Sequence, residues 1–279
     1  MKKLFALLLT LAMVLSLAAC GGSSDTPAND GDQTSDAVEE PQDEPAAVTT
    51  VEAGKLHMST NAEFPPYEMI ADDGSFEGID VEVAQAIADK LGLELVVDDM
   101  DFNAALLAAQ NGQSDIVMAG VTVTDERLKV MDFSDSYATG IQVVIVKEDS
   151  PITTVDDLAN AEMIGCQAAT TGYIYCSDTV ENGGYGEDHV TAYDSGATAV
   201  MALVNGQVDA VVIDNEPAKA FVAANEGLKI LDTEFAVEDY AIGVQKGNTQ
   251  LLDAINAAMA ELKADGTFQA IVDKYITAE

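Results

Sequence analysis

One segment occurs twice in the chain, and this repeat constrains the fold more than any other feature. The first copy, at residues 111–120, reads NGQSDIVMAG, and the second, at residues 205–214, reads NGQVDAVVID. Each copy follows a helical pattern rich in Ala and Leu. The glycine is typical of a left-handed helix cap, and the aspartate opens a strand too apolar to be half exposed. The repeat therefore predicts two similar α/β lobes.

Strand and helix patterns alternate around the first copy. Strands are predicted at residues 56–59, 93–97 and 115–119, and helices at residues 81–91, ended by Gly92, and 106–110. This alternation is typical of α/β folds. Ligands of open α/β sheets bind outside the carboxyl ends of the strands. We therefore expect a site between the lobes, formed by residues 120–122 and by Asp214.

The chain contains a single arginine, Arg127, among 12 basic residues. A guanidinium holds a carboxylate by two parallel hydrogen bonds, which lysine cannot imitate. Residues 124–127, TDER, predict a helix start capped by Thr124, with two acids in its first turn. A carboxylate-binding role follows from this chemistry, but a surface ion pair with one of the 49 acids explains Arg127 equally well.

Composition excludes several classes of function. A net charge of −37 opposes binding to nucleic-acid phosphates and to anionic membrane surfaces. Two His and three Cys, without C-x-x-C or H-E-x-x-H, leave too few ligands for the common zinc sites. We expect neither a metal nor a cofactor, and no partner of nucleic acid.

The N-terminus predicts export and lipid attachment. Lys2 and Lys3 precede an apolar stretch that is too short to span a bilayer, so residues 1–19 are interpreted as a signal peptide. The stretch ends with small residues directly before Cys20, which resembles the lipobox of bacterial lipoproteins. Cys20 is then the lipidated, palmitate-bearing terminus that anchors the protein to the cell membrane. The alternative is a cysteine that follows an ordinary signal peptide by chance.

Residues 20–54 differ in composition from the rest of the chain. They are rich in Gly, Ser, Thr, Pro and acids. Such a segment buries too little apolar area to offset its ordering entropy, so we expect a disordered acidic tether. No later stretch is a transmembrane candidate. The remainder is expected to be one soluble body outside the cytoplasm.

Five groups of residues, in order along the chain, resemble the polar amino acid family of extracellular solute-binding proteins of ABC importers. They are NAEFPPYE at 61–68, GIDVEV at 78–83, GVTVTDER at 120–127, DFSDSY at 132–137 and ADGTF at 264–268. The likeness also includes ATTG at 169–172 and DAVVID at 209–214. The resemblance implies an α/β, two-lobed fold like that of periplasmic binding proteins, with a two-strand hinge. Lobe 1 is expected to comprise residues 55–139 plus 240–279, and lobe 2 residues 140–239.

The resemblance also implies a set of ligand contacts. In that family, the α-carboxylate of an amino acid is held by residues matching Arg127, Thr122 and the backbone amide of Thr171. The α-ammonium is met by residues matching Asp214, the carbonyl of Gly120 and the hydroxyl of Thr122. This arrangement suits a zwitterion that leaves water, because an unpaired buried charge costs several kcal/mol.

The resemblance places three further residues around the ligand side chain. Phe64 is expected to form a pocket wall, whereas Phe102 fits a wall or the core equally well. Asn61 stands where family members that bind basic amino acids often carry an acid. A neutral amide favours a neutral ligand side chain, unless Glu63 or another pocket acid substitutes.

Two features lie near residue 170: one departs from the family pattern, and the other has two interpretations. Ala169 stands where glycine is common in the family, which bears on how the loop presents the Thr171 amide. Cys166 and Cys176 flank this loop, one in a predicted strand and one in a predicted helix. A disulfide, which exported proteins favour, and two buried thiols fit equally well.

The resemblance implies a monomeric binding protein, not an enzyme. It is expected to capture a free, polar amino acid, close around it and deliver it to an ABC permease in the membrane. One alternative is a dehydratase-like enzyme on the same fold, although neither His57 nor His189 falls in the implied site. The other is a sensory ligand-binding lipoprotein.

Overall fold

The computed structural model describes residues 48–276. The strands are β1 Lys55–Thr60, β2 Glu63–Phe64, β3 Glu68–Ile70, β4 Phe76–Glu77, β5 Glu94–Asp99, β6 Ile116–Val117, β7 Met131–Phe133, β8 Ala138–Lys147, β9 Ile164–Gln167, β10 Val190–Tyr193, β11 Ala210–Asp214, β12 Leu228–Ile230, β13 Ala236–Tyr240 and β14 Gly243–Gln245. The helices are α1 Ile79–Leu91, α2 Phe102–Gln110, α3 Asp125–Val130, α4 Thr171–Ser177, α5 Gly196–Val204, α6 Asn215–Ala224, α7 Thr249–Ala264 and α8 Thr267–Tyr275.

Two sheets of the same design form two lobes. The first has the order β5-β1-β6-β14-β7, and the second has the order β10-β9-β11-β8-β12, with β13 also paired to β8. In each sheet, three parallel strands lie beside an antiparallel one. Apolar side chains pack on both faces of each sheet. The predicted α/β, two-lobed fold is confirmed.

The repeated segment forms the same structure in both lobes. Gly112 and Gly206 adopt left-handed φ values of 67° and 72° after α2 and α5. Asp115 then accepts hydrogen bonds from the amides of Val51 and His57, and Asp209 accepts them from those of Glu162 and Met163. Each aspartate thus satisfies backbone donors at the start of a neighbouring parallel strand. These requirements explain why the glycine and the aspartate recur in Asn-Gly-Gln-x-Asp.

The predicted elements are found, with altered ends. The strand predicted at 56–59 is β1, the one at 93–97 is β5, and the helix predicted at 81–91 begins two residues earlier as α1. Helix α2 begins at Phe102 instead of residue 106, which buries the Phe102 ring. The strand predicted at 115–119 is only β6, because it pairs with β1 through two residues.

Two antiparallel strands run between the lobes. β8 begins beside the first lobe and continues into the second sheet, while β13 pairs with it in the register Tyr240↔Ala138 to Ala236↔Gln142. An isolated bridge links Thr122 to Tyr240, and the chain then enters β14 of the first sheet. These strands are the two-strand hinge of the predicted fold.

The N-terminal predictions fall mostly outside the described residues. The signal peptide at 1–19, Cys20 and most of the tether at 20–54 lie there. Residues 48–54 are described and contact the first lobe, since Val48 packs on its core and the Val51 amide donates to Asp115. The ordered body therefore begins before residue 55. Within residues 48–276, no helix combines the length and apolarity needed to cross a membrane.

Candidate functional site

A cavity between the two lobes brings together all eight residues that were predicted to bind a ligand. It lies at the carboxyl ends of β1, β6, β9 and β11, where open α/β sheets bind ligands. The lining residues are Asn61, Phe64, Glu68, Phe102, Ala119, Gly120, Thr122, Arg127, Gln167, Thr170, Thr171 and Asp214.

Arg127 is buried against the cavity with no anionic partner among the described residues. Thr124 caps α3 by accepting from the Arg127 amide at 3.2 Å, which sets the start of the helix. The guanidinium donates to the carbonyls of Thr122 at 2.8 Å and Ala169 at 3.0 Å, and lies 5.5 Å from the centre of the Phe102 ring. None of the ion pairs formed within residues 48–276 includes Arg127.

Two consequences follow from this environment of Arg127. The side chain is only 8% exposed, so it does not form the surface ion pair that the sequence left open. Burial lowers the pKa of the guanidinium, and the negative charge of Glu238 opposes that change. A buried cation without a counterion favours an anion that can accept its remaining N–H donors.

Asp214 presents the opposite charge from the second lobe. It is the last residue of β11 and is buried. Its carboxylate accepts from Gln142 Nε2 at 2.6 Å and from the Tyr240 hydroxyl. Burial raises the Asp214 pKa to about 7; the Tyr240 hydrogen bond acts against this rise, and the charge of Glu238 adds to it. The cavity wall therefore carries a cation on one lobe and a titrating acid on the other.

The loop from β9 to α4 reaches across to the first lobe. Gln167 Nε2 donates to Asn61 Oδ1 at 2.8 Å, and the Ala169 carbonyl accepts from Arg127. Thr170 caps α4 by accepting from the Tyr173 amide at 3.3 Å. Ala169 occupies the left-handed region, with φ of 63°, so the loop keeps a conformation suited to glycine despite the alanine. Thr171 then begins α4, where the first N–H groups of a helix lack intrahelical acceptors.

Glycine is required at Gly120, where the first lobe approaches the cavity. Its φ is 56°, and a Cβ atom there would lie 2.8 Å from the Phe64 ring. The Gly120 amide donates to Asp80 Oδ2 at 3.1 Å, and the Tyr137 hydroxyl donates to the same oxygen at 2.8 Å. Burial raises the Asp80 pKa to about 6, against the effect of those two hydrogen bonds. Asp80 therefore holds the Gly120 backbone in place from outside the cavity.

The two aromatic residues occupy different positions. Phe64 packs against the cores of both lobes and stacks on Tyr67, with ring centres 5.8 Å apart. Phe102, the first residue of α2, is buried in the core of the first lobe and also lines the cavity, with its ring 5.5 Å from the Arg127 guanidinium. Phe102 therefore combines the two roles between which the sequence did not decide.

Glu68 is a cavity residue that the sequence did not indicate. Its side chain is fully buried, and neither oxygen accepts a hydrogen bond from a donor among the described residues. Burial, followed by the charge of Asp80, raises the Glu68 pKa well above its ordinary value. One acid in a chain with 49 gives no sequence signal of its own. Glu63, the acid that the sequence analysis named, is exposed.

Cys166 and Cys176 are free thiols in the structure, buried in the core of the second lobe. The neighbouring Cys176 thiol, followed by burial, raises the pKa of Cys166 well above its ordinary value. The two residues bracket the loop that crosses to the first lobe, and the structure has them as thiols and not as a disulfide.

Comparison with known proteins identifies the family. The model of the bacterial extracellular solute-binding proteins, family 3, matches residues 56–278. An arginine-binding extracellular protein of Bacillus subtilis is 30% identical over 283 residues, covering 100% of both chains. An ancestral arginine-binding protein bound to arginine is 38% identical, covers 80% of this chain and 98% of its own, and superposes with a TM-score of 0.74. Another structure of an ancestral arginine-binding protein, bound to glutamine, is 38% identical, covers 81% and 100%, and has the same TM-score. With its two-lobed α/β fold and a cavity between the lobes, the chain belongs to family 3 of the bacterial extracellular solute-binding proteins, and is a binding protein and not an enzyme.

Proposed function

We propose that this protein captures a free amino acid in the cavity between its lobes and delivers it to an ABC permease. The observation that carries the proposal is the pair Arg127 and Asp214. They are buried on opposite lobes, line one cavity, and have no partner of opposite charge within ion-pair distance among the described residues. A zwitterion offers each of them the charge it lacks.

The proposed contacts assign each end of the ligand to named groups. Arg127 and the backbone amides of Thr122 and Thr171 hold the α-carboxylate. Asp214, the Gly120 carbonyl and the Thr122 hydroxyl hold the α-ammonium. The contacts come from both lobes, so the ligand satisfies all of them only when the cleft is shut.

Phe64 and Phe102 are proposed as the walls of the side-chain pocket, with Asn61 and Glu68 as its polar groups. Asn61 alone favours a neutral side chain, but Glu68 adds a buried carboxyl that no described donor satisfies. A cationic group at the end of the ligand would pair with ionised Glu68 and remove the cost of its burial. We therefore propose a ligand with a cationic side chain, L-arginine first. The arginine-binding relatives support this choice.

The site of attachment rests on the sequence. We propose that residues 1–19 are removed, that Cys20 carries the lipid, and that the acidic segment after it tethers a monomeric body to the outer side of the cell membrane. Mass spectrometry of membrane extracts should find acylated Cys20 at the N-terminus. Unmodified Cys20 there would contradict the anchor without affecting the binding site.

The lobe boundaries are a further part of the proposal. Residues 55–139 plus 240–279 are assigned to lobe 1, and residues 140–239 to lobe 2. The pairing of β8 with β13 supports crossovers near Thr139 and Tyr240.

A thermal-shift screen against the twenty amino acids, followed by calorimetry, tests the function. We expect L-arginine to raise Tm most, L-lysine less, and L-glutamine to distinguish a cationic from a neutral preference. Glu68→Gln should reduce the affinity for L-arginine more than that for L-glutamine. If no amino acid raises Tm, the proposed function is wrong. If only neutral ones do, the assignment of Glu68 is wrong.

A further inference from the structure

The hinge strand β13 places one buried carboxylate directly behind the cavity. Glu238 is 6% exposed and pairs in register with Gly140 of β8. Its side chain is not part of the cavity wall, whereas two residues that it contacts, Thr122 and Thr171, are. Glu238 therefore lies where it can act on a ligand through other residues without touching it.

A single oxygen of Glu238 joins the two lobes. Oε2 accepts from the Thr122 hydroxyl of the first lobe at 3.0 Å and from the Thr171 hydroxyl of the second at 2.8 Å. The amide of Gln142 donates to the same oxygen at 3.2 Å and also to Asp214 at 2.6 Å. The other oxygen, Oε1, is buried without a hydrogen-bond partner in the described part of the chain.

These contacts determine which way the two hydroxyls are polarised. A threonine hydroxyl has one hydrogen to donate and two lone pairs that accept. Because a carboxylate only accepts, the hydrogens of Thr122 and Thr171 both point at Glu238. Their lone pairs are then left for donors in the cavity, and an ammonium group is a donor without acceptor capacity.

We propose that Glu238 is a positioning residue for amino acid binding. It holds one threonine hydroxyl from each lobe as an acceptor for the ligand ammonium, and thereby joins ammonium recognition to closure. The inference rests on the proposed function, which supplies the ammonium. Asp214 provides the charge that meets this group, while Glu238 provides the orientation of the neutral acceptors around it.

Calorimetry with two probes tests the assignment at pH 8, where Asp214 is ionised. The probes are L-arginine and 5-guanidinopentanoate, which is the same molecule without the α-amino group. Glu238→Ala should weaken L-arginine binding about tenfold or more, as expected when buried hydrogen bonds to a charged group are lost. It should change binding of 5-guanidinopentanoate less than threefold. Asp239→Ala, which removes an exposed acid from the same strand, should change neither.

A second background separates hydroxyl orientation from a simple effect of charge. In a Thr122→Val, Thr171→Val variant, Glu238→Ala should have less than a threefold further effect, because the hydroxyls through which it acts are gone. A full tenfold effect in that background, or equal losses for both probes, would overturn the inference. Glu238→Gln keeps an acceptor oxygen and should weaken L-arginine less than Glu238→Ala. If the alanine variant does not fold, the glutamine variant must still show a selective loss for L-arginine.

Binding of amino acids to the unaltered protein tests the proposed function separately from the role of Glu238. If it binds L-glutamine instead of L-arginine, L-glutamine and glutaramate replace the two probes, and the same outcomes apply. If it binds neither amino acid, both the proposed function and the role of Glu238 are wrong. If the unaltered protein binds its amino acid and the Glu238→Ala variant binds it equally well, only the positioning role of Glu238 is wrong.

Discussion

At the scale of single residues, the environment of Arg127 says more about its role than the fact that it is the only arginine in the chain. The sequence allowed a surface ion pair or a carboxylate site. The structure buries the guanidinium, gives it two carbonyl acceptors, and leaves it without an ion pair among residues 48–276. Asp214 is its counterpart, a buried acid held by two neutral donors. Each group is costly to bury unless a ligand supplies it with a group of the opposite charge.

Truncation of either group should therefore remove most of the affinity. Arg127→Ala and Asp214→Ala are each expected to cost on the order of 2–5 kcal/mol, roughly 30-fold to several thousand-fold in Kd. Calorimetry with L-arginine measures the loss. Lys129→Ala, an exposed residue of the same helix as Arg127, is the control and should bind normally. If either binding-site variant has a Kd for L-arginine within threefold of that of the unaltered protein, the assignment is wrong.

The pKa of Asp214 predicts a pH dependence of binding. The ligand ammonium favours the ionised carboxylate, whereas the free protein has a pKa of about 7 at this group. Binding below pH 7 must therefore release a proton from Asp214, which lowers the affinity by up to about tenfold per pH unit well below 7. Ionisation of Glu68, whose pKa is also raised, adds to this fall for a ligand with a cationic side chain. Calorimetry from pH 5.5 to 8.5 gives the profile. Proton release is read from the dependence of the heat on the buffer. An affinity that is constant across this range would show that Asp214 is already ionised in the free protein.

At the scale of elements, the loop between β9 and α4 shows how local strain and site geometry are linked. Its Ala169 carbonyl receives Arg127, and Gln167 reaches Asn61 on the other lobe. The alanine adopts φ of 63°, which costs an L-residue about 1–2 kcal/mol. The substitution in this chain therefore leaves the loop in place and stores a small strain there.

Ala169→Gly should relieve that strain. The gain is offset by the greater freedom of glycine in the unfolded chain, so we expect a net increase of roughly 0.5–1 kcal/mol in the free energy of unfolding. Urea unfolding of the ligand-free protein measures it. Ala168→Gly provides the matched control, because that residue lacks a positive φ and should only be destabilised. Equal destabilisation by both glycines would show that the left-handed conformation carries no strain.

At the scale of the whole molecule, two lobes of the same design meet at a cleft and are joined by β8 and β13. Contacts across the cleft include Gln167 with Asn61, Arg127 with Ala169, and the two threonines with Glu238. Ligand contacts on both lobes add to these only when the cleft is closed. We therefore expect the free energy of ligand binding to shift the equilibrium between open and closed arrangements of the lobes about this hinge.

Small-angle scattering should detect this closure. The radius of gyration is expected to fall when saturating L-arginine is added, because ligand stabilises the shut form. The Arg127→Ala, Asp214→Ala double variant serves as the control and should not respond. An unchanged radius for the unaltered protein at saturation would contradict closure by ligand.

Acid should stabilise the ligand-free protein. Asp80 and Asp214 have pKa values of about 6 and about 7 in the folded state, raised by burial from an ordinary 3.8. The folded state thus binds more protons than the unfolded state, so stability rises as pH falls toward 5. Between pH 8 and pH 5, Asp80 is protonated over about one pH unit, from 6 to 5, and Asp214 over about two, from 7 to 5. Together they should raise the free energy of unfolding by on the order of 4 kcal/mol.

Thermal unfolding between pH 8 and pH 5 measures this effect. Relief of the repulsion among a net charge of −37 acts in the same direction. The Asp80→Asn, Asp214→Asn variant isolates the contribution of these two acids, because it should retain only the rise that comes from net charge and from Glu68, whose pKa burial also raises. A Tm that falls on acidification from pH 8 to pH 5 would contradict the buried acids.

The sequence alone determined the architecture and most of the cavity wall. Hydrophobic periods, glycine caps and the repeated Asn-Gly-Gln-x-Asp are local signals, and each predicts one local structure. The family resemblance implied eight ligand-binding residues, and all eight line one cavity. Tertiary structure decided which acids are buried without a donor and which hydroxyls face which carboxylate. Glu68 ends the NAEFPPYE group and Glu238 lies in no quoted group, and nothing in the sequence marks either of these two among 49 acids as buried. Their properties depend on burial and on partners far away in the chain, which exist only once the two lobes have come together.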